Sequence, residues 1–288
     1  MKKIFLMPLF LFFVMCQNNN KKVEPAQVFP SDTIPMQYNG KYDDLRMCIL
    51  DGIVNDSLHF KVFFDTGALG NIFSISDSLK NLFNSDSAFV QIGKFKKQMA
   101  IKYYESNRRS FVTVFGKNTI MVGWKFFENK IIELDFKNQH LFVYKELPCV
   151  TEFSKTKITK YQDSQDSHLL IPAQVILQGK TIEDTLIFDT GYNGYITLND
   201  KKVEKQGIDT TRNTYYGMST TSAGLLRSCT ISAADTIKIG NLYIANQNMR
   251  ISLYNQRRNG LLGTKAFQNF SVILDLINYD LYLKKIDN

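Results

Sequence analysis

The stretches FFDTGALGN (residues 63–71) and IFDTGYNGY (residues 187–195) each place Asp-Thr-Gly directly after hydrophobic residues. A single triplet of this kind can be explained as an ordinary turn at the end of a strand, because Asp, Thr and Gly are all favoured in turns. Two further pairs match at the same offset from the aspartates, namely Gly70 with Gly194 and Ile72 with Ile196. The triplets therefore belong to a longer pattern that occurs twice in the chain.

A second pair of matching segments lies downstream of the triplets, at residues 120–144 and 260–283. They align without a gap on Gly123 and Gly263. The other shared positions are Lys125/Lys265, Phe127/Phe267, Asn129/Asn269, Leu134/Leu274, Asp135/Asp275, Asn138/Asn278 and Leu141/Leu281. Self-similarity of this kind indicates one structural unit present twice.

The repeat sets the domain organisation of the 288 residues, 44% of which are hydrophobic. We assign residues 37–150 to an N-terminal lobe and residues 169–288 to a C-terminal lobe, each of ordinary domain size. The polar residues 151–168 between them are predicted to be a linker. Residues 1–16 are predicted to be a signal peptide, and residues 17–36 a polar tether.

Both lobes are predicted to consist mostly of strands. Short runs rich in Val, Ile and aromatic residues alternate with Gly, Asn, Asp and Ser, which is typical of strands separated by turns. Examples are LHFKVFF (58–64), IIELDF (131–136), TLIFD (185–189) and SVILDL (271–276). A helix is hard to place, apart from one short turn after each of Gly123 and Gly263. The predicted fold class is mostly β.

Composition argues against several classes of partner and site. The net charge is +8, but basic pairs are dispersed among acidic residues, whereas a nucleic-acid groove needs clustered positive charge. The three histidines and the cysteines show no metal-ligand spacing. The cysteines beyond the leader are Cys48, Cys149 and Cys229, which allow one disulfide without indicating the pair.

The N-terminus has the pattern of an export signal: two lysines, an apolar run over Ile4–Met15 and a polar tail. Twelve apolar residues are too few to span a bilayer. Cys16 occupies the place where bacterial lipoprotein signals carry the cysteine that becomes lipidated. We therefore expect an exported protein in the periplasm or cell envelope, held at a membrane through a lipid on Cys16.

The paired triplets, each followed downstream by two apolar residues and a glycine, resemble those of the aspartic peptidases. The downstream motifs are Met121-Val122-Gly123 and Leu261-Leu262-Gly263. The resemblance covers nearly all of residues 37–288 and is to the single-chain, two-lobed arrangement, with lobes closer in size to retropepsin-like proteins than to pepsins. It implies two β-barrel-like lobes of the acid-protease fold with the active-site cleft between them, in a monomer.

The resemblance also implies an aspartic endopeptidase that hydrolyses peptide or protein substrates at the cell envelope. Asp65 and Asp189 would form the catalytic dyad, one as general base on a water and the other as proton donor to the scissile carbonyl. Two carboxylates brought together share a proton and titrate as a pair. The implied supporting residues are Thr66, Gly67, Thr190, Gly191, Met121, Val122, Gly123, Leu261, Leu262 and Gly263. No metal ion or organic cofactor is implied, since the nucleophile is water.

Two aromatic positions have alternative interpretations. Tyr192 follows the second triplet, where the family usually carries a small residue, as Ala68 does after the first. Its ring would narrow the cleft, contact the substrate or mark a lobe that no longer catalyses. For Trp124, the single tryptophan, we favour core packing over a substrate contact.

A length difference between the lobes predicts a flap. Asp65 precedes Gly93 by 28 residues, whereas Asp189 precedes Gly240 by 51. The additional stretch contains Tyr215, Tyr216 and Gly217, which we predict to contact the substrate from a hairpin that closes over bound peptide. An ordinary surface loop is the alternative. In the pepsin arrangement the N-terminal lobe provides the flap.

Two further functions fit the sequence. One is a catalytically silent, peptide-binding envelope lipoprotein that holds an extended chain by strand addition. The other is an envelope structural protein that uses the lobes as a scaffold. Retention of both aspartates favours the enzyme, because burying unpaired carboxylates costs several kcal/mol.

Overall fold

The computed structural model confirms a mostly β chain. The description covers residues 28–37, 48–68, 72–104, 118–162, 167–209, 214–221, 224–232, 236–245, 250–254 and 259–286. The predicted signal peptide, Cys16 and most of the predicted tether lie outside these residues. Within them, no helix has the length and apolar character needed to cross a bilayer.

The first half of the chain contains strands β1 to β9. They are β1 (Asp32–Pro35), β2 (Ile49–Val54), β3 (Leu58–Phe64), β4 (Ile72–Ser76), β5 (Ser87–Ile92), β6 (Phe95–Tyr104), β7 (Thr119–Val122), β8 (Ile131–Asp135) and β9 (His140–Tyr144). Two 3₁₀ turns, Asp77–Leu82 and Trp124–Phe127, interrupt them. The second of these is the short turn predicted after Gly123.

The second half contains the remaining described strands. They are β10 (Ser154–Lys157), β11 (Thr159–Gln162), β12 (Ser167–Leu177), β13 (Lys180–Asp189), β14 (Ile196–Asn199), β15 (Thr214–Thr221), β16 (Gly224–Ser232), β17 (Thr236–Ile239), β18 (Leu242–Ala245), β19 (Arg250–Tyr254), β20 (Leu261–Gly263), β21 (Phe270–Asp275) and β22 (Asp280–Lys285). The 3₁₀ turn Thr264–Phe267 follows Gly263 as predicted. The one-turn helix α1 (Asp200–Lys205) was not predicted; Asn199 caps it by accepting from the amide of Lys201.

Strands β2–β3–β7–β4–β6–β5 close into a barrel. The β2–β3 hairpin turns at Asn55 and Asp56, both with positive φ, which suits the right-handed twist of the flanking strands. Strand β7 pairs in parallel with β3 and antiparallel with β4. It therefore lies between the strand that leads into Asp65 and the strand that follows the triplet.

The second half repeats this arrangement within a sheet of ten described strands. Strand β20 pairs in parallel with β13 and antiparallel with β14. One detail of the sequence alignment is wrong, because Leu262 pairs with Ile196 whereas its counterpart Val122 pairs with Phe73. The structural counterpart of Ile196 is therefore Phe73 and not Ile72. The register shifts by one residue between the halves.

Six of the described strands, three from each half, form one shared sheet in the order β1–β9–β8–β21–β22–β10. Its central pairing is antiparallel between β8 and β21 and places Glu133 opposite Ile273. These two residues are equivalent in the alignment on Gly123 and Gly263, so an approximate two-fold axis passes between them. The shared sheet joins the halves about the same axis that relates the two triplets.

The segments predicted to be a tether and a linker contribute strands to the sheets. β1 lies at the end of the predicted tether and pairs with β9, while β10 and β11 lie in the predicted linker. The sequence SKTK of β10 has no apolar alternation. Instead, Lys155 and Lys157 both form ion pairs with the buried carboxylate of Asp280 on β22. Backbone pairing with β22, accompanied by these two ion pairs and not by apolar burial, therefore places this strand at the edge of the sheet.

The main hydrophobic core is continuous across both halves. Trp124 is fully buried in it, and its indole Nε1 donates to the carbonyl oxygen of Ser167 at 2.8 Å. Its ring also meets the edge of Tyr279 from the second half, with 6.3 Å between ring centroids. The prediction that Trp124 packs in the core is confirmed, and the ring holds the halves together.

Candidate active site

Asp65 and Asp189 lie at equivalent strand ends. The amide of Asp65 donates to the carbonyl oxygen of Val122 at 2.9 Å, and Asp189 pairs with Gly263 in the parallel register of β13 and β20. Val122 and Leu262 are fully buried beneath the two loops. Met121 and Leu261 alternate to the other face of their strands, as period-two geometry requires. The two apolar-apolar-Gly motifs therefore support the two aspartates in the same way.

Thr66 and Thr190 link the two loops across the two-fold axis. The hydroxyl of Thr66 donates to the carbonyl oxygen of Phe188 at 2.6 Å, and the hydroxyl of Thr190 donates to that of Phe64 at 2.7 Å. Each hydroxyl also accepts from the amide of the other threonine at 3.0 Å. Both side chains are buried. Because each hydroxyl donates and accepts, the loops are held at one separation.

The glycines of the triplets let the opposing carboxyl groups approach. The amide of Gly67 donates to Asp65 Oδ1 at 2.8 Å, and the amide of Gly191 donates to Asp189 Oδ1 at 2.9 Å. A Cβ atom on Gly67 would lie 2.6 Å from Cγ of Asp189, and one on Gly191 would lie 2.5 Å from Cγ of Asp65. Each carboxyl group therefore rests against the glycine of the other half. The structure brings the two aspartates together.

This arrangement has a definite electrostatic consequence. Amide donors favour the ionised form of each carboxyl group, whereas a second carboxylate at close range disfavours double ionisation. Such a pair retains one proton over a range of pH and titrates in two coupled steps. Two carboxyl groups that share a proton in this way can supply both a proton acceptor and a proton donor.

Cys48 lies behind the first loop, and its thiol is not a competing nucleophile. Its carbonyl oxygen accepts from the amide of Phe64, and its Sγ donates to the sulfur of Met36 at 3.4 Å. Burial, and secondarily the charge of Asp65, raises the pKa of the Cys48 thiol to about 12. The thiol therefore stays protonated. Cys48 and Cys149 are both free, and the side chain of Cys229 lies outside the description.

The ring of Tyr192 folds onto its own loop. It packs against Leu170, Ile187 and Leu261, and its hydroxyl donates to the carbonyl oxygen of Ile196 at 3.4 Å. A Cβ on Gly194 would collide with the ring. The glycine that follows the second triplet by three residues therefore provides the space that the ring occupies.

Backbone and hydroxyl groups that the sequence analysis missed fix the second loop. The amides of Gly263, Thr264 and Lys265 donate to the carbonyl oxygens of Tyr195, Tyr192 and Gly194, at 3.0, 2.9 and 3.2 Å. The buried hydroxyl of Thr197 accepts from the amide of Leu261 at 2.8 Å. Backbone hydrogen bonds do not require particular residue types, and a single threonine is common in a strand. Nothing in the sequence therefore indicated these contacts.

The stretch that contains Tyr215, Tyr216 and Gly217 is a hairpin of β15 and β16. It is inserted between β14 and β17. At the equivalent place in the first half, between β4 and β5, the chain has the 3₁₀ turn Asp77–Leu82. The side chains of Tyr215 and Tyr216 lie outside the description, so their contact with a substrate stays a prediction.

A cavity of about 560 Å³ lies elsewhere in the second half and does not include either aspartate of the triplets. Its lining contains Asp184, whose buried carboxylate forms an ion pair with Lys202 of α1. The buried acid of this lining, Asp184, is already paired with a lysine, and the other acid, Glu183, is exposed, so we do not take the cavity as the candidate site. The chemistry of the described residues is concentrated at the two triplets.

We predict that Thr66→Val destabilises the protein. The substitution leaves the buried carbonyl oxygen of Phe188 and the amide of Thr190 without their partners. This should cost about 1 to 3 kcal/mol of unfolding free energy for each of the two groups. Thr66→Ser keeps the hydroxyl and should cost much less. Denaturant unfolding followed by circular dichroism measures both. Equal stability of Thr66→Val and the wild type would contradict the importance of these bonds.

Comparison with known families bears on the second half of the chain. Residues 173–266 match a family model described as aspartyl protease. The matched segment contains the second triplet and the Leu261-Leu262-Gly263 motif. No curated protein matches the chain with significant similarity. The match supports an aspartic peptidase family.

Proposed function

We propose that this protein is an aspartic endopeptidase that hydrolyses peptide bonds of peptides or proteins. The observation that carries the proposal is the placement of Asp65 and Asp189, each against the glycine of the opposite triplet. A scaffold or a silent binding protein has no physical need for two acids held face to face. The aspartyl protease match over residues 173–266 supports the same conclusion.

In the proposed reaction a water molecule lies between the two carboxyl groups. The ionised carboxylate removes a proton from the water while its oxygen attacks the scissile carbonyl carbon, and the protonated carboxyl group donates its proton to the carbonyl oxygen. As the tetrahedral intermediate collapses, one of its two hydroxyl groups returns its proton to the carboxylate that protonated the carbonyl oxygen, and the C–N bond breaks. The departing amine takes up the proton that the other carboxyl group had removed from the water. The dyad thus returns to its starting state of one shared proton.

The dyad predicts that Asp65→Asn and Asp189→Asn each lower turnover by at least about a thousandfold, because each removes one half of the acid–base pair. Asn keeps the size of the side chain and can still accept from the glycine amide, so the thermal melting curve should change little. Cleavage of a mixed peptide pool between pH 3 and pH 8 measures the loss.

The matched control is Asp51→Asn, since Asp51 is exposed on β2 and pairs with Lys61. This variant should retain wild-type cleavage. Near-normal cleavage by Asp189→Asn would contradict the dyad, and absence of cleavage by the wild type across the pool and the pH range would contradict the endopeptidase.

We also propose that the β15–β16 hairpin is the principal flap and that it belongs to the C-terminal half. Two features support this: the first half has only a 3₁₀ turn at the equivalent place, and β15 is the terminal strand of its sheet among the described strands. A terminal strand can hydrogen-bond an extended peptide by strand addition. A hairpin that closes over the peptide also excludes water.

Shortening residues 217–224 to a two-residue turn is predicted to lower kcat/KM by about a hundredfold through lost positioning of the peptide. The melting temperature should change little, because the hairpin is an insertion relative to the repeated unit. Peptide cleavage kinetics and thermal unfolding measure the two effects. Unchanged kinetics in the shortened variant would contradict a flap.

We further propose that the protein is exported and held at the cell envelope through Cys16. The lysine-then-apolar leader and the position of the cysteine support this proposal. Cys16→Ser should release the mature chain from the membrane or leave the precursor unprocessed. Detergent partitioning of the wild type and of Cys16→Ser measures membrane association. If both proteins partition identically into the soluble phase, the lipid anchor is contradicted.

A further inference from the structure

The positions that follow the two triplets are related by the approximate two-fold axis but carry very different side chains. Ala68 follows Gly67, and Tyr192 follows Gly191. Each position lies three residues after an aspartate of the dyad. The two equivalent positions therefore carry a methyl group in the first half and a phenol ring in the second half.

An apolar row precedes Asp189 on the face of the sheet opposite the main core. It consists of Leu170, Ile187 and Leu261, which are neighbours in register across β12, β13 and β20. Their strand neighbours Leu186 and Phe188 point into the main core, whereas the row forms a separate cluster. Tyr192 is the partly buried side chain packed on this row among the described residues.

The equivalent row in the first half is built differently. It consists of Ile49, Phe63 and Met121, in the same register across β2, β3 and β7. There the aromatic ring belongs to the strand, at Phe63, and Ala68 occupies the position equivalent to Tyr192. In the second half the strand carries Ile187 and the loop carries the ring. The loop-borne ring of Tyr192 therefore covers part of its row.

The position of the Tyr192 side chain depends on a glycine, a hydroxyl bond and a backbone bond of its loop. Gly194 leaves room for it, its hydroxyl bonds the carbonyl oxygen of Ile196, and its own carbonyl oxygen accepts from the amide of Thr264. The ring is half-buried, so one part packs on the row and the rest is accessible. Moving it aside would break these contacts and expose the row.

We infer that Tyr192 determines specificity by filling the side-chain subsite next to Asp189. The inference rests on the proposed function, since it assigns a substrate class to the same site. The substrate residue whose side chain points to this side of the scissile bond must be small, such as Gly, Ala or Ser. A larger side chain would collide with the fixed ring. The rest of the subsite, Leu170, Ile187 and Leu261, is apolar and would accept a large apolar side chain once the ring is removed.

The test compares Tyr192→Ala with Tyr192→Phe on peptides that vary the two residues flanking the scissile bond. The wild type should accept only small side chains at one of these positions. Tyr192→Ala should raise kcat/KM for Leu or Phe relative to Ala at that position by roughly 10- to 200-fold, the range that apolar pockets discriminate. Tyr192→Phe keeps the ring and should keep the wild-type profile. Tyr243→Ala, at an exposed tyrosine of β18, is the matched control.

A wild-type preference profile in Tyr192→Ala, or acceptance of large residues at both positions by the wild type, would overturn the inference while leaving the endopeptidase intact. Calorimetric binding of the same peptides to the Asp189→Asn variant, with and without Tyr192→Ala, separates the two proposals. A shift of binding preference without any turnover in the wild-type protein would support the subsite and contradict the peptidase. If there is neither a shift of binding preference nor any turnover, both the subsite and the peptidase are contradicted.

Discussion

The reciprocal bonding of Thr66 and Thr190 is the interaction on which the site depends. Each hydroxyl donates to a carbonyl oxygen of the opposite half and accepts from the opposite threonine amide. Buried backbone groups at the tips of two loops would otherwise lack partners, at a cost of about 1 to 3 kcal/mol for each unpaired group. The bonds therefore provide hydrogen-bond partners for the buried backbone groups of both loops, and they also set the distance between Asp65 and Asp189.

The rest of the fold holds the two threonines where they can meet. The shared sheet pairs β8 with β21 about the two-fold axis, and Trp124 joins the halves through its contacts with Ser167 and Tyr279. In each half, a strand with a buried Val or Leu supports the loop from below. Forcing two carboxyl groups together is unfavourable when both are charged, and this framework offsets that repulsion.

The sequence allowed prediction of the features that the internal repeat encodes. It did not allow prediction of features that depend on strand pairing, register and the space around individual side chains. Two Asp-Thr-Gly triplets in equivalent places led to the prediction that Asp65 and Asp189 act as partners. Short runs of Val, Ile and aromatic residues between turn residues predicted the mostly β fold. The strand β10 escaped prediction because two lysines that pair with Asp280, rather than apolar residues, hold it in the sheet. The direction of the Tyr192 ring depends on the space above Gly194, and the one-residue shift at Ile196 depends on strand register. Neither the space at Gly194 nor the strand register can be predicted from the residue types around these positions.

The most direct test of the account is a titration of the aspartate carboxyl carbons by ¹³C NMR in the wild type and in Asp65→Asn. If the two acids share a proton, Asp189 belongs to a coupled pair that titrates in two well-separated steps. Removing the charge of Asp65 should then convert the titration of Asp189 to a single step. Identical titration of Asp189 in both proteins would show that the carboxyl groups do not interact and would contradict the account.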